Sequence, residues 1–338
     1  MSAVARHSSR EPCRAVLLMA FGGPRSLDEV APFIERMTGR EPSPEAVKRS
    51  RDKYAAIGGA SPLPAIAESV AAALRELLEE EGLRLPVALG MRYSEPSIAD
   101  VVQELAESGV TELVALSLSP FESRITTQAY REAVEAAAGE SGVTVLHAPD
   151  WSQDRGLLDA HRWALEEALS SSAAAGPEAR TMVVFSAHSL PCAEVEEDDS
   201  YIRAFIRTAD EVALAAGLLA GSDGGSSVMP GAYGAGGEIP WVAAYQSKGY
   251  RACEWLGPDL DDALAAARDA GIERVVVSPV GFVIDHMETL YDLDVVAARK
   301  ARDFGLTFAR CRMPNAGAGL VGALASAVVR ALDERDRD

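Results

Sequence analysis

Basic residues are few. Against 51 Asp and Glu the chain carries 32 Lys and Arg, a formal net charge of −19. It therefore lacks the cationic footprint that nucleic-acid binding needs. Taken over the whole surface, it is also poorly suited to anionic membranes, although a local basic patch is still allowed. No apolar run approaches the length of a membrane span. Residues 1–12 are polar, without the apolar core of a secretory signal, and read as a short disordered lead-in to a cytoplasmic protein. Cysteine is scarce: Cys13, Cys192, Cys253 and Cys311 have no C-x-x-C spacing among them. A zinc or iron–sulfur site thus has little sequence support, and buried or incidental thiols are the simpler account. A phosphate-binding loop is missing as well. Phe21-Gly22-Gly23-Pro24 lacks the third glycine and the lysine such loops use. Gly317-x-Gly319-x-x-Gly322 matches a dinucleotide fingerprint literally, but no strand or acidic ribose partner follows it, so a small-residue helix explains it better.

What the chain does have is length and periodicity. Its 338 residues, 48% of them apolar, suffice for two α/β domains sharing a cleft. Apolar, β-branched runs at 14–21, 86–91, 112–118, 143–147, 181–186, 241–245, 274–279 and 306–310 predict strands. Amphipathic stretches between them, at 63–81, 98–107, 124–138, 156–170, 201–219 and 260–270, predict helices. The alternation predicts an α/β fold of two similar Rossmann-like domains, each a four-stranded parallel sheet flanked by helices. The expected bounds are 12–150 and 156–312, with a helix over 317–334 packing back on the first domain. Residues 172–178 read as an irregular connector. Residues 217–240, rich in Gly, Ser and Pro, read as a surface loop with a lid as the less favoured alternative.

In such sheets ligands sit at the carboxyl ends of strands. Two segments place chemistry there. Val183-Val184-Phe185-Ser186-Ala187-His188-Ser189-Leu190-Pro191 ends a strand on a histidine among small residues. A lone histidine in that position is as often a bonded core residue. The small neighbours favour ligand access, and imidazole can bind a metal or take a proton near neutral pH. In the second segment a strand ends in Pro279-Val280-Gly281-Phe282, and a helix is expected to begin with Asp285, Glu288 and Asp292. Glu288 and Asp292 share a helix face, which usually means a solvated surface; at a cleft, such oxygen ligands suit a hydrated divalent cation. His286, two residues from Glu288, points elsewhere on that helix and reads as structural. A third cluster, Lys48, Arg49, Arg51, Lys53 and Tyr54, precedes Ile57-Gly58-Gly59-Ala60-Ser61-Pro62-Leu63. By itself it is a solvated helix face; with the sharp turn after it, it suits holding substrate carboxylates at a cleft rim.

Together these segments resemble the ferrochelatase family, enzymes that insert ferrous iron into a porphyrin. The agreeing motifs are Met19-Ala20-Phe21-Gly22-Gly23-Pro24, Tyr54-x-x-Ile57-Gly58-Gly59-x-Ser61-Pro62-Leu63, Phe185-Ser186-Ala187-His188-Ser189-Leu190-Pro191, Tyr245-Gln246-Ser247, Trp255-Leu256-Gly257-Pro258-Asp259, Pro279-Val280-Gly281-Phe282, Glu288-x-Leu290-Tyr291-Asp292 and Met313-Pro314-Asn315. The resemblance spans residues 14–334 and lies nearest the Gram-positive branch that uses coproporphyrin III.

The resemblance implies a porphyrin cleft between the domains, with His188 and Glu288 as catalytic and metal-site residues. Asp292 would begin an acidic path for metal or protons. Lys53, Tyr54, Ser61, Arg40 and Phe21 would contact the porphyrin. It implies Fe²⁺ as substrate, no permanently bound cofactor and no iron–sulfur cluster, since Cys311 stands alone near the C-terminus. An iron donor and a haem-accepting enzyme are the implied partners. There are departures. Phe21 stands where relatives carry a tyrosine, Val296 where the acidic path has another Glu, and Ser152 where some have tyrosine. The chain is one residue shorter near Met37-Thr38-Gly39-Arg40, and the 217–240 loop is longer. Protoporphyrin IX is the alternative substrate. A non-catalytic tetrapyrrole-binding protein is the alternative class, against which the presence of both His188 and Glu288 argues.

Overall fold

The computed structural model of the protein describes residues 12–171, 179–196, 199–218, 239–249 and 252–337. The expected lead-in, the 172–178 connector and most of the 217–240 loop, with the lid reading, lie outside the described residues. The first sheet holds β1 (Arg14–Ala20), β2 (Val87–Met91), β3 (Glu112–Ser117) and β4 (Thr144–His147), all parallel, in the order β2-β1-β3-β4. The second holds β5 (Thr181–His188), β6 (Trp241–Gln246), β7 (Arg274–Ser278) and β8 (Thr307–Arg310), and repeats that order as β6-β5-β7-β8. All eight predicted strands are present. β5 runs further than predicted and carries His188 as its last residue.

The helices are α1 (Val30–Thr38), α2 (Pro44–Ala56), α3 (Leu63–Glu80), α4 (Ile98–Glu107), α5 (Thr127–Ser141), α6 (Arg155–Ser170), α7 (Ser200–Ala215), α8 (Leu260–Asp269), a short α9 (Met287–Leu290), a π-helical stretch over Asp292–Ala297, α10 (Ala298–Asp303) and α11 (Ala318–Arg335). They cover both faces of both sheets, which is why the central strands are apolar throughout rather than alternating. Val16 and Leu18 of β1 pack with Leu74 of α3 and Leu324 of α11. Leu17, on the opposite face, packs with Val102 of α4 and Val134 of α5. In the second half Val183 and Phe185 meet Leu165 of α6 and Phe205 of α7, while Val184 meets Leu264 of α8 and Ala301 of α10.

Helix α1 was not among the predicted elements, and α2 was expected only as a solvated helix face over 48–54. Their buried apolar stripe is small, Val30 and Ile34 with Tyr54, so the periodic signal is weak. Local chemistry still starts α2: the Ser43 hydroxyl caps the Ala46 amide at 3.2 Å and Pro44 occupies the first turn.

Helix α11 packs on α3, which covers the first sheet, and on α6, which covers the second. Its crossing with α6 explains the glycines that mimic a dinucleotide fingerprint. A Cβ on Gly319 would lie 2.5 Å from the Gly156 carbonyl oxygen and 2.7 Å from the Ala160 Cβ. In an open helix, alanine is better than glycine by roughly 1 kcal/mol. Here the added methyl has backbone against it, and overpacking of this kind costs about 1–3 kcal/mol. Gly319→Ala should therefore lower the midpoint of thermal unfolding. A raised midpoint in calorimetry would show that the helices part without cost.

Candidate active site

The strand ends of both sheets open onto one cavity of about 760 Å³. That is within the range of small-molecule sites. The first half lines it with Phe21, Phe33, Tyr54 and Tyr93, the second with His188, Tyr245, Trp255, Phe282 and Glu288. Phe21, from the end of β1, stands edge-on to Tyr93 with ring centroids 4.8 Å apart and to Phe33 at 6.3 Å. Such walls suit a flat apolar ring system.

At the floor, His188 and Glu288 face each other. Nδ1 of His188 lies 2.5 Å from the Ser189 carbonyl oxygen, which assigns that nitrogen as the donor. Nε2 is thereby turned to Glu288 Oε1, 3.3 Å away. The other carboxylate oxygen, Oε2, lies 3.3 Å from Nε2 of His286. The sequence placed His286 elsewhere on a helix. In the structure His286 is extended, α9 begins only at Met287, and its Nδ1 is held by the Ile284 carbonyl at 3.1 Å. The helical spacing rule fails because the residue precedes the helix. Glu288 thus has an imidazole at each oxygen. Burial by itself would raise its carboxyl; the charge and hydrogen bonds of His188, then those of His286, outweigh that and hold it well below the usual range. Burial likewise opposes charge on His188, but Glu288 foremost, with the Ser189 carbonyl and Asp292, raises it above its ordinary value.

The segment carrying Glu288 is fixed from several sides. A Cβ on Gly281 would lie 2.5 Å from the Ala187 Cβ, so the turn over residues 279–282 presses directly on β5 beside His188. The small residue Ala187 therefore admits backbone, not ligand as the sequence suggested. Buried Gln246, paired with His188 in register, bridges strand and helix. Its Oε1 accepts from Ser186 Oγ at 2.7 Å, and its Nε2 donates to the Glu288 carbonyl at 3.1 Å. Ser247, at φ 59, donates from its hydroxyl to Asp292 Oδ2 at 2.7 Å. Behind them the Arg310 guanidinium spans Asp285 at 3.1 Å and Asp294 at 2.8 and 3.0 Å. Asn315 exchanges bonds of 2.8 and 2.9 Å with Asp285. Sequence reading assigned none of these supports a role, although Gln246, Ser247 and Asn315 lay inside quoted motifs. Their signal is mutual hydrogen bonding around the buried Gln246, which is visible only once the strands are paired.

The first half supplies the opposite wall. Lys53 on α2 places Nζ 3.7 Å from Asp292 Oδ1 and 5.3 Å from the centre of the Tyr291 ring. Tyr54 is buried beside Met287, and burial, then the Glu288 charge, raise its phenol. Ser61 lines the cavity, but its Oγ also accepts from the Leu63 amide at 3.4 Å at the start of α3. Arg40 does not reach the lining. It sits exposed just past the Gly39 cap of α1, so the expected basic contact from that loop is not assembled here. Val296 lines the cavity at 41% exposure, an apolar side chain on the face where Glu288 and Asp292 lie.

Against models of known protein families, the chain matches the one described as Ferrochelatase over residues 13–332. The chain belongs to the ferrochelatase family. It is 34% identical to a ferrochelatase of Herpetosiphon aurantiacus over 93% of this chain and 97% of that one. It is 31% identical to a coproporphyrin III ferrochelatase of Halalkalibacterium halodurans over 95% and 98%. Among solved structures, SirB from Bacillus subtilis with Fe³⁺ shares the fold, with a TM-score of 0.55 at 12% identity, covering 96% of this chain and 98% of that one. In this ferrochelatase no group of three or more His, Cys, Asp or Glu among the described residues is arranged to hold a metal by itself. Among the described residues no helix is long and apolar enough to cross a membrane.

The electrostatics of the pair can be measured. His188 stabilises the fold fully below its ordinary 6.5, and that contribution is lost as pH rises through its raised value. Glu288 contributes above its ordinary 4.5, and that is lost as pH falls through its lowered value. Both contributions are complete between those two ordinary values. Glu288→Gln removes the main charge opposing desolvation, so the His188 imidazole should titrate at lower pH than in the parent protein. NMR of the ring carbons reads this directly, and an unmoved titration would exclude Glu288 as its partner.

Proposed function

We propose that the protein inserts Fe²⁺ into coproporphyrin III to give coproheme in haem biosynthesis. The observation that carries the reading is the His188–Glu288 pair at the floor of an aromatic cleft. Insertion must remove two pyrrole protons and deliver a dication to the same four nitrogens. A carboxylate kept ionised in a buried place is suited to the dication. Once Fe²⁺ supplies the positive charge at Glu288, nothing as strong keeps His188 protonated against burial. The partly exposed imidazole then releases its proton to water and serves as base for the two pyrrole N–H protons in turn, passing each to solvent before taking the next. Phe21 and Tyr93 form the wall against which the macrocycle is clamped in a bent form, so that its nitrogens open toward the pair. Phe21 offers no oxygen, so the product iron gains no axial ligand there.

Substrate choice is read from the rim and from relatives. Lys53 and Lys248 line the cleft and would meet propionates. Several relatives of similar identity are coproporphyrin III ferrochelatases. Others are named ferrochelatase without further qualification, and protoporphyrin IX is the competing substrate. The reading includes no iron–sulfur cluster: burial pushes the Cys311 thiol up to about 12, far from the thiolate a cluster needs. It places the enzyme in the cytoplasm, receiving iron from a donor and passing product to a haem-processing enzyme.

Anaerobic assays with Fe²⁺ and each porphyrin test this. One extra desolvated propionate contact is worth roughly 1.5–3 kcal/mol, so coproporphyrin III should be favoured in kcat/KM by about tenfold or more. Equal or better use of protoporphyrin IX in detergent-free buffer would replace the assignment. His188→Ala should abolish insertion in a folded protein that still binds porphyrin. Glu288→Gln should lower kcat more than porphyrin affinity, the signature of a contact used during the reaction. Weakened porphyrin binding alone would reassign Glu288 to substrate positioning.

A further inference from the structure

Asp292 lines the cavity, but in the substrate-free protein each of its oxygens already faces a partner. Its Oδ2 accepts from Ser247 at 2.7 Å, while Oδ1 faces the Lys53 ammonium at 3.7 Å. The two partners differ in how they are held. Ser247 belongs to the strand end next to Gln246, whose backbone carbonyl accepts from the Ser189 amide at 2.8 Å. Lys53 reaches across from α2 of the first half on a flexible four-carbon stem, whose rotation moves the ammonium without moving the helix. Its neighbour Tyr54 packs against Met287, so α2 stays seated on the Glu288 segment when the ammonium moves.

We infer that Lys53 is a competitor cation that masks Asp292 until a porphyrin carboxylate draws it away. The inference rests on the reading of a carboxylate-bearing porphyrin as substrate. An ammonium beside Oδ1 repels a hydrated dication that approaches the same oxygen. A propionate at the rim offers Lys53 a carboxylate of its own, and the Asp292 oxygen is then uncovered for iron. By linkage the effect is mutual: metal at Asp292 frees Lys53 for the carboxylate, and the two substrates favour each other's binding. The empty enzyme consequently holds iron poorly, and porphyrin is the better first substrate.

The test is a double-mutant cycle on the porphyrin-free protein, read by calorimetric titration with Co²⁺. K53M should bind Co²⁺ about fivefold more tightly than the parent, the scale of one partly screened ion pair. K53R, which keeps the charge, should match the parent. In the D292N background the K53M effect should vanish. Equal tightening with and without Asp292 would mean a diffuse field effect and overturn the proposal, as would an unchanged affinity in K53M. In steady state, the apparent KM for Fe²⁺ should fall as coproporphyrin rises in the parent and be flat in K53M; a flat parent profile also overturns it. The Co²⁺ titration needs no porphyrin, so loss of the coproporphyrin assignment would appear in the turnover assay alone.

Discussion

A carboxylate taken out of water stays ionised only where positive charge is close at hand, and Glu288 meets that condition through an imidazole at each of its oxygens. Much of the second half follows from this requirement. β5 has to extend through His188, the turn after β7 has to lie flat on Ala187, and residue 286 has to be extended so that its ring turns back on Glu288. Strand order then matters as well. With β5 central and β7 beside it, the histidine and the acid emerge from neighbouring strand ends rather than from distant loops.

The polar network behind the pair, buried at Gln246 and partly buried elsewhere, holds the segment that carries Glu288. Gln246, Arg310 and Asn315 each bond to the segment from 285 to 294 through a different atom, and each comes from a different part of the second half. Polar groups in such a place are costly unless every one is matched. Here the matching also limits how far Glu288 can drift from His188, a separation on which the charge state of both depends.

Legibility from the sequence followed the strength of the local pattern. The strands of both sheets were readable because central strands covered on two faces are nearly unbroken apolar runs, as at Val183-Val184-Phe185 and Val275-Val276-Val277. His188, Glu288 and Asp292 were singled out because strand ends are where such folds bind ligands, and all three line the cavity. What escaped depended on distance in the chain. α2 carries one buried residue and so has almost no periodicity, yet it delivers Lys53 to Asp292. His286 was misplaced because helical geometry was applied to a residue that lies before the helix. Ala187 was read as room for ligand when its partner, Gly281, is 94 residues away, as 281 − 187 shows. Arg40 was expected among the porphyrin contacts from the family resemblance alone, in a segment one residue shorter than in relatives, and it lies exposed outside the cavity lining.

The repeated strand order has a further consequence. The end of β5 bears His188, while its counterpart in the first sheet, the end of β1, leads to Phe21. One copy of the same architecture has become an ionic floor and the other a hydrophobic platform. On the proposed reading the His188–Glu288 pair comes wholly from the second half, whereas the grip on the tetrapyrrole is shared, with Phe21, Tyr93 and Lys53 from the first half and Lys248 from the second. A duplicated architecture thus lets one copy keep the ionic pair while the other varies its own wall of the shared cleft.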